Sequence, residues 1–153
     1  MNKELKISII TVTKNSEKYL EENILSLESQ SYKNYEHIII DGNSTDQTKN
    51  IINRHKEKIS YSVSEPDDGL YFAMNKGIEK ATGEIIGILN SDDIFYPDAL
   101  RIVSKYFSKD PKLDFLFGSV YKHKLMHGYN PKKIKWTFGF YTTHSVGFFI
   151  RRE

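Results

Sequence analysis

Short apolar segments alternate with helical patterns along most of this chain. Residues 7–12 are apolar toward both faces of a strand, as a sheet covered by helices on both sides requires. Leu20, Ile24 and Leu27 then recur at helical spacing, which predicts a first helix over residues 17–29. Repeated strand–helix units of this kind favour a parallel sheet. We therefore predict an α/β fold, a Rossmann-like three-layer sandwich in which helices flank a mostly parallel central sheet.

The same alternation continues after the first helix. It predicts strands over residues 37–40, 59–63, 85–89 and 113–117, and helices over residues 44–55, 70–81 and 97–107. Ser44, with Gln47 three residues later, indicates a capping box at the start of the second helix. Pro97 fits the first position of the fourth helix. Because no repeat or linker interrupts the pattern, we expect a single domain over residues 1–153.

The composition is that of a soluble globular domain. Hydrophobic residues make up 39% of the chain and charged residues 27%. The chain has no cysteine, which excludes disulfides and thiolate metal sites. The first apolar run is about six residues long, well short of the roughly 20 that span a membrane, and no signal-peptide cleavage site follows it. We expect a cytoplasmic protein.

Residues 121–153 form a basic segment, with seven Lys or Arg side chains against one acidic side chain. Basic segments can contact nucleic acid, an anionic membrane surface or a phosphorylated substrate, although a solvated face is the more common role. Peripheral contact with the inner face of the membrane therefore stays open.

The common phosphate-binding loops are absent from the sequence. No G-x-G-x-x-G motif follows the first strand, which weakens a dehydrogenase interpretation, and no G-x-x-x-x-G-K-[ST] motif occurs, which excludes the P-loop NTPases. A phosphate ligand would need another partner for its charge. A cation held by carboxylates is the obvious one.

An acidic pair, Asp92-Asp93, directly follows the most apolar predicted strand. In open α/β sheets, ligands bind outside the carboxyl ends of the strands. Mg²⁺ is commonly held by one or two protein carboxylates together with substrate phosphates and water. The pair is therefore a candidate cation site. A solvated turn is the alternative, and for an isolated Asp-Asp pair it is the more common role.

Acidic residues follow two other predicted strands as well. Asp41 ends the second strand and could accept a hydrogen bond from a base N–H or a ribose hydroxyl. Asp67 and Asp68 lie in the loop after the third strand. Each of these positions also fits an ordinary turn. Three acidic strand ends on one edge of a sheet nevertheless favour a shared cleft.

The basic segment offers weaker candidates. His144 could bind a metal, donate to a phosphate or contact an acceptor, or it could be structural. Trp136 could stack on a sugar, although core packing is the more common role for tryptophan. Lys132, Lys133 and Lys135 could face phosphates or lipid headgroups, or solvent.

Three stretches in succession resemble a known enzyme family: ISIITVTKN, YEHIIIDGNSTDQT and SEPDDGLYFAMNKGIEKATGEIIGILNSDD. They are similar to the N-terminal half of family 2 glycosyltransferases, which have the GT-A fold, and the similarity covers about residues 5–107. The resemblance implies metal-dependent transfer of a sugar, with inversion, from a nucleoside-diphosphate sugar. It also implies a UDP-linked donor, a bacterial cell-envelope polysaccharide or lipid-linked acceptor, and Mg²⁺ or Mn²⁺ as the cation. We expect no nucleic acid partner.

The resemblance assigns the nucleotide pocket to three strand ends. Thr11, Val12 and Thr13 would line the pocket at the end of the first strand. Asp41 matches the aspartate that contacts the base. Asp67 matches the acidic residue of the family's EPDxG segment, near the nucleotide.

The resemblance also gives the acidic pair separate roles. Asp93 would be the direct metal ligand, and Asp92 would lie nearer the ribose and the sugar, as in the family's DxD-type motif. Phe72 stands where relatives often carry an aspartate. The family's catalytic base is a carboxylate that we expect beyond Glu153, so that part of the acceptor side would be missing from residues 1–153.

Two alternatives remain open at this point. One is a binding module that holds nucleotide sugar and metal without catalysing transfer. The other is a nucleotidyltransferase of similar layout, which would need a basic, Gly-rich loop after the first strand. Residues 11–16 provide only Lys14 for such a loop.

Overall fold

The computed structural model describes residues 4–118, 120–122, 124–126 and 147–152. Strands and helices alternate as far as α4, and strands follow. In chain order the elements are β1 (Ile7–Thr13), α1 (Leu20–Glu28), β2 (Tyr35–Asp41), α2 (Thr48–Arg54), β3 (Tyr61–Ser64), α3 (Leu70–Lys80), β4 (Ile85–Ile88), α4 (Ala99–Lys109), β5 (Phe115–Phe117), β6 (Val120–Lys122), β7 (Lys124–Met126) and β8 (Phe148–Arg151). A short 3-10 helix, Lys56–Lys58, follows α2.

Six of the strands form one sheet in the order β3-β2-β1-β4-β8-β5. The strands β1 to β4 pair in parallel, and β8 pairs antiparallel with both β4 and β5. The predicted, mostly parallel sheet is therefore confirmed. Strands β6 and β7 pair with each other in a separate ribbon.

Strand β8 was not predicted, although residues 146–150 read as an apolar stretch. It inserts between β4 and β5, where Phe149 lies opposite Gly87. A Cβ at position 87 would overlap the Phe149 ring, so the glycine leaves room for this aromatic side chain. The apolar pattern of a short run does not reveal which strand it will pair with, which is why the insertion was missed.

Helices cover both faces of the sheet. Leu27 of α1 and Phe107 of α4 pack on one face, against Ile7 and Ile9 of β1. Helix α2 packs on the same face through Ile51 and Ile52, while α3 packs on the other face through Ala73. The predicted three-layer sandwich is confirmed, and β1 lies buried along its whole length at the centre. None of the helices within the described ranges is long and apolar enough to cross a membrane.

A buried carboxylate ties the amino-terminal edge of the sheet together. Glu36 on β2 accepts hydrogen bonds from the Ser8 hydroxyl at 2.6 Å and from the Thr82 and Gly83 amides at 2.6 and 3.2 Å. The Lys6 ammonium adds an ion pair at 2.7 Å. Burial disfavours the charged form, but the hydrogen bonds from Lys6, Ser8 and Thr82 outweigh it and lower the pKa of Glu36 to about 2.

The predicted capping box at the start of α2 is wrong. The helix begins at Thr48, and Gln47 makes no side-chain capping bond. The Ser44 hydroxyl instead donates to the Asp41 carboxylate and accepts a hydrogen bond from the Asn15 amide at 2.8 Å. The buried Asp41 carboxylate requires hydrogen-bond donors. Ser44, which the sequence pattern assigned to the start of the helix, is therefore bonded to Asp41.

Helix α4 begins at Ala99, two residues later than the predicted start at Pro97. The Pro97 carbonyl accepts a hydrogen bond from the Ser31 amide at 3.1 Å, which holds the proline in the preceding loop. Helix α3 ends at Lys80, one residue before its predicted end at residue 81.

Candidate functional site

An open cleft of about 530 Å³ lies at the carboxyl ends of β1 and β4. Strand order reverses between these two strands, because β2 follows on one side of β1 and β4 lies on the other. Such switch points are where open α/β sheets bind ligands. The walls come from the end of β1, the β3–α3 loop, α3 itself and the turn after β4. Lining residues are Val12, Thr13, Lys14, Ser16, Asp67, Gly69, Leu70, Ala73, Asn90, Ser91 and Asp92.

Four of the residues predicted for the site line this cleft together: Val12, Thr13, Asp67 and Asp92. Thr11 does not line it. Its side chain is fully buried, and its hydroxyl lies 2.9 Å from His37 Nε2. The Thr11 side chain therefore lies on the face of the sheet that α1 covers, and the side chain of its neighbour Val12 lies on the opposite face.

The Thr13 hydroxyl is a polar atom without a partner inside the described structure. Only 6% of the Thr13 surface is exposed, so solvent contributes little to satisfying it. Leaving a buried hydroxyl unpaired costs about 1–3 kcal/mol. Thr13 is also one of the lining residues of the cleft, which makes its hydroxyl a candidate contact for a bound ligand.

The Asp41 carboxylate is completely buried at the end of β2. It accepts hydrogen bonds from the Ser44 amide at 3.1 Å, from the Ser44 hydroxyl and from the Ser64 hydroxyl at 2.5 Å. A carboxylate has about four acceptor positions, so three donors leave room for one more. Asp41 is not among the lining residues of the cleft, and it lies one strand away from Thr13, its register partner.

The Asp67 carboxylate connects the cleft to the end of β2. One oxygen accepts a hydrogen bond from the Gly69 amide at 2.9 Å. The other lies so close to Gly42 that a Cβ there would come within 2.7 Å of it. Gly69 has a φ of 118°, which favours glycine, and α3 begins at the next residue. The two glycines allow the Asp67 loop to close over the carboxyl end of the sheet.

Asp92 and Asp93 lie on a tight turn over residues 90–93. The Asp93 amide donates to the Asn90 carbonyl at 3.0 Å, and the Asn90 side chain donates to the Asp93 carboxylate at 3.1 Å. Asp92 is exposed and lines the cleft, whereas Asp93 is half-buried and does not line it. The predicted pair is thus brought to the cleft with one carboxylate directly in its wall.

The residues of this turn suit a hard divalent cation. Within the described ranges, no three histidine or acidic side chains cluster closely enough to form a metal cage. Mg²⁺, however, is usually bound by one or two carboxylates, with substrate phosphates and water completing its shell. An adjacent pair of carboxylates beside an open cleft fits that donor set.

Several polar residues of the site were missed from the sequence. Ser16 and Ser91 line the cleft, and their hydroxyls are 2.8 Å apart. Asn23 lies on the inner face of α1, in the apolar series with Leu20 and Leu27, and is fully buried. A polar residue at an inward helical position was the available signal for Asn23.

His37 was missed as well: it lies in the stretch YEHIIIDGNSTDQT, where only Asp41 was given a role. Burial lowers the pKa of His37 to about 3, which keeps the imidazole neutral. His144, Trp136 and the lysines 132, 133 and 135 lie outside the described residues, as does Glu153.

Comparison with known proteins places the chain in a family. The sequence model described as Glycosyl transferase family 2 matches residues 8–151. The putative teichuronic acid biosynthesis glycosyltransferase TuaG of Bacillus subtilis is 35% identical over 98 residues, which cover 62% of this chain and 39% of TuaG. The chain spans between about a fifth and a half of the length of the curated relatives it matches.

Two solved structures share the fold. Staphylococcus aureus TarS 1-349 in complex with UDP-GlcNAc superposes with a TM-score of 0.70 at 26% identity, over 86% of this chain and 37% of that one. The mannosyltransferase PcManGT from Pyrobaculum calidifontis, in complex with GDP-Man and Mn²⁺, gives 0.68 at 26% identity, over 74% and 35%. With the family match over residues 8–151, these likenesses establish that the chain belongs to glycosyl transferase family 2, with the GT-A fold.

Proposed function

We propose that this chain binds a nucleoside-diphosphate sugar in the cleft between β1 and β4, for transfer of the sugar to an acceptor with inversion. One observation carries the proposal: Thr13, whose hydroxyl has no partner in the described structure, and the exposed Asp92 are both lining residues of the same cleft. A ligand that spans them needs a polar end and an end suited to a carboxylate-bound cation. A nucleotide sugar has both, and the ligands of TarS and PcManGT are of this class.

The nucleotide end of the donor would lie over β1 and β2. Val12 and Thr13 form this wall of the cleft, and Thr11 supports it from the interior. Asp41 would use its remaining acceptor position for a base N–H, and Asp67 would lie near the ribose. We propose UDP as the nucleotide, in keeping with the UDP-GlcNAc complex of TarS.

The diphosphate end would lie over the 90–93 turn. Asp93 would be the direct ligand of Mg²⁺ or Mn²⁺, and Asp92 would reach toward the ribose and the sugar. When bound, the cation supplies positive charge that offsets the charge developing on the diphosphate leaving group. The Mn²⁺ in the PcManGT complex supports the choice of a divalent ion.

Transfer with inversion places the acceptor hydroxyl opposite the departing diphosphate. The hydroxyl oxygen forms the new bond to the anomeric carbon while the bond to the diphosphate oxygen breaks, and a base takes the hydroxyl proton. We assign the role of base to no residue of this chain. The acceptor we propose is a cell-envelope polysaccharide or a lipid-linked glycan, which agrees with the description of TuaG as a putative teichuronic acid biosynthesis glycosyltransferase.

Calorimetric titration with UDP tests the donor site. We expect Mn²⁺ to increase the UDP affinity of the unchanged chain. Asp93→Ala should reduce this Mn²⁺-dependent increase by a factor of at least about ten, because a cation ligand is lost. Asp114→Ala is the matched control, because it removes the same charge from an exposed position before β5, away from the cleft. Mn²⁺-dependent binding that survives in Asp93→Ala would remove the assignment of Asp93 as the ligand.

A second titration tests the nucleotide. UDP should bind more tightly than GDP, as the proposed UDP-linked donor requires. Equal affinity for both would leave the donor class intact and remove the choice of UDP.

A further inference from the structure

Helix α1 presents a fully buried amide to the turn that carries the acidic pair. Asn23 Nδ2 donates to the Asn90 carbonyl and to the Asp93 carbonyl, each at 2.8 Å. These two carbonyls belong to the first and last residues of the 90–93 turn. The turn is itself closed by the hydrogen bond from the Asp93 amide to the Asn90 carbonyl. One side chain therefore holds both ends of the turn to α1.

The Asn23 amide can take only one orientation at this position. Carbonyl oxygens only accept hydrogen bonds, so the nitrogen must face the turn and Oδ1 must face Thr11. The Thr11 hydroxyl then donates to Asn23 Oδ1 in a long bond at 3.4 Å, and it lies 2.9 Å from His37 Nε2. A series of polar contacts therefore runs from His37 on β2 through Thr11 on β1 to Asn23 on α1 and the turn.

Ser26 of α1 and Gln30, two residues beyond the end of that helix, hold the rest of the segment between β4 and α4. The Ser26 hydroxyl accepts a hydrogen bond from the Phe95 amide at 3.2 Å. The Gln30 side chain donates to the Tyr96 carbonyl at 2.8 Å and accepts from the Leu100 amide at 3.1 Å. Asn23, Ser26 and Gln30 follow one another at intervals of three and four residues, about one helical turn each. The loop is therefore held at several points by α1 and by the residue that lies just past its end.

Electrostatics explains why the acidic turn needs such a support. Two adjacent carboxylates repel each other, and the repulsion is stronger at a partly buried site than in water. A short turn free to relax would separate the charges or rotate one of them away from the cleft. The two bonds from Asn23 fix the backbone on either side of Asp92, so that the main-chain positions from which the two carboxylates extend cannot separate without breaking a buried hydrogen bond.

We propose that Asn23 is a positioning residue of the donor site: its amide holds the 90–93 turn so that the Asp92 and Asp93 carboxylates meet the cation and the diphosphate. This role rests on the proposed function, since it requires a cation at Asp93. Asn23 itself touches neither ligand. Its effect is on the affinity for the cation in the presence of nucleotide.

A double-mutant cycle on Mn²⁺-dependent UDP binding tests this role. The chain, Asn23→Ala, Asp93→Ala and the double variant are titrated with UDP in the presence and absence of Mn²⁺. We expect Asn23→Ala to lower the Mn²⁺-dependent gain by about tenfold, because two buried hydrogen bonds to the turn are lost. In the Asp93→Ala background, replacing Asn23 by alanine should lower the Mn²⁺-dependent gain in UDP affinity by less than about twofold, because the carboxylate that Asn23 positions is already absent.

Two variants guard against a simple folding defect. Asn53→Ala removes an exposed asparagine from α2 and should leave the Mn²⁺-dependent gain unchanged. Asn23→Asp keeps the shape of the side chain while removing both donors, so it replaces Asn23→Ala if the alanine variant lacks cooperative thermal unfolding. It should show the same loss and the same dependence on Asp93.

The outcomes separate this inference from the proposed function. The positioning role is overturned if a folded Asn23 variant keeps the full Mn²⁺-dependent gain in UDP affinity. It is also overturned if the Asn23 substitution lowers that gain by the same factor with and without Asp93→Ala. Neither result contradicts the proposed donor site. If the unchanged chain binds UDP no better with Mn²⁺, the cation site of the proposed function fails, and the role of Asn23 fails with it.

Discussion

Two buried polar side chains near the cleft differ in what satisfies them. The Thr13 hydroxyl has no partner in the described structure, whereas His37 Nε2 is bonded to Thr11. The Thr13 hydroxyl is a candidate for a hydrogen bond to a bound ligand. The His37 imidazole already has a partner inside the protein. Substitutions at the two positions should therefore change different properties of the protein.

Replacing Thr13 by valine should separate stability from binding. Valine has nearly the same shape and no hydroxyl, so the cost of the unpaired group disappears and the free energy of unfolding should stay unchanged or rise by up to about 1 kcal/mol. UDP affinity should fall by about three- to tenfold, because the bond to the hydroxyl is lost. Urea denaturation and calorimetry measure the two effects. A loss of stability with unchanged affinity would mean that the hydroxyl serves the fold.

The buried His37 should make stability depend on pH. Its pKa is lowered to about 3 in the folded protein, below its usual 6.5, so between these values the unfolded chain binds a proton that the folded protein does not. Stability should therefore fall as pH drops through this window, by about 2 kcal/mol from neutral pH to about pH 5.

The measurement for His37 is urea denaturation at both pH values, compared with His37→Gln, which cannot titrate. The substituted protein should lose about 2 kcal/mol less than the unchanged protein on acidification. Glu36 does not obscure the comparison, because its stabilising contribution is present above pH 4.5 and is lost only as pH falls from there toward about 2. Equal losses in the two proteins would mean that His37 is protonated in the folded state.

At the scale of elements, the central contact is the close approach of α3 to β1. Gly77 on α3 lies against Ile10 on β1, so near that any Cβ at position 77 would overlap the isoleucine side chain. The contact places α3 directly over the strand whose end forms the cleft. Ala73 on the same helix reaches the cleft wall.

Gly77→Ala tests that contact, because the sign of the change in the free energy of unfolding shows which of two opposing effects is larger. Helix propensity alone favours alanine by about 1 kcal/mol, whereas overpacking against β1 costs about 1–3 kcal/mol. We expect a net loss of unfolding free energy in urea denaturation. Ile10→Ala should reduce that loss by making room, and Asn75→Ala, at an exposed position of α3, serves as the control. A stabilised Gly77→Ala protein would show that α3 can shift freely on the sheet.

The elements differ in how well local sequence pattern predicts them. Strand β1 and helix α1 follow from their own periodicity, because each buries its apolar residues on the faces that the pattern marks. The start of α2 was mispredicted because Ser44 serves a carboxylate in another element. Such competition between a helix end and a buried acid depends on tertiary contacts, which a local motif does not contain.

At the scale of the whole molecule, the candidate cleft and the hydrogen bonds around the buried Glu36 carboxylate lie at opposite ends of the sheet. The cleft occupies the carboxyl ends of the strands, and the Glu36 cluster joins β1, β2 and the approach to β4 at the amino ends. The candidate site was predictable because parallel strands bring their carboxyl ends to one edge, which gathered Asp67 and Asp92 near Thr13. The support from Asn23 was not, because it joins residues far apart in sequence.

The position of β8 was beyond prediction for a similar reason. It pairs residues 148–151 with β4, more than 60 residues earlier in the chain, and only Gly87 hints at the aromatic ring that covers it. Arg151 fixes this strand by donating to the Leu113 and Phe107 carbonyls, both at 3.1 Å. Family membership, by contrast, was correctly anticipated from the motifs of β1, β2 and β4.

A crystal structure of this chain with UDP and Mg²⁺ would test the central claim most directly. We predict the nucleotide in the cleft between β1 and β4, with a polar atom bonded to the Thr13 hydroxyl, and Mg²⁺ bound to an Asp93 carboxylate oxygen at about 2.0–2.1 Å. A nucleotide bound elsewhere on the molecule, or a cation held without Asp92 or Asp93, would contradict it.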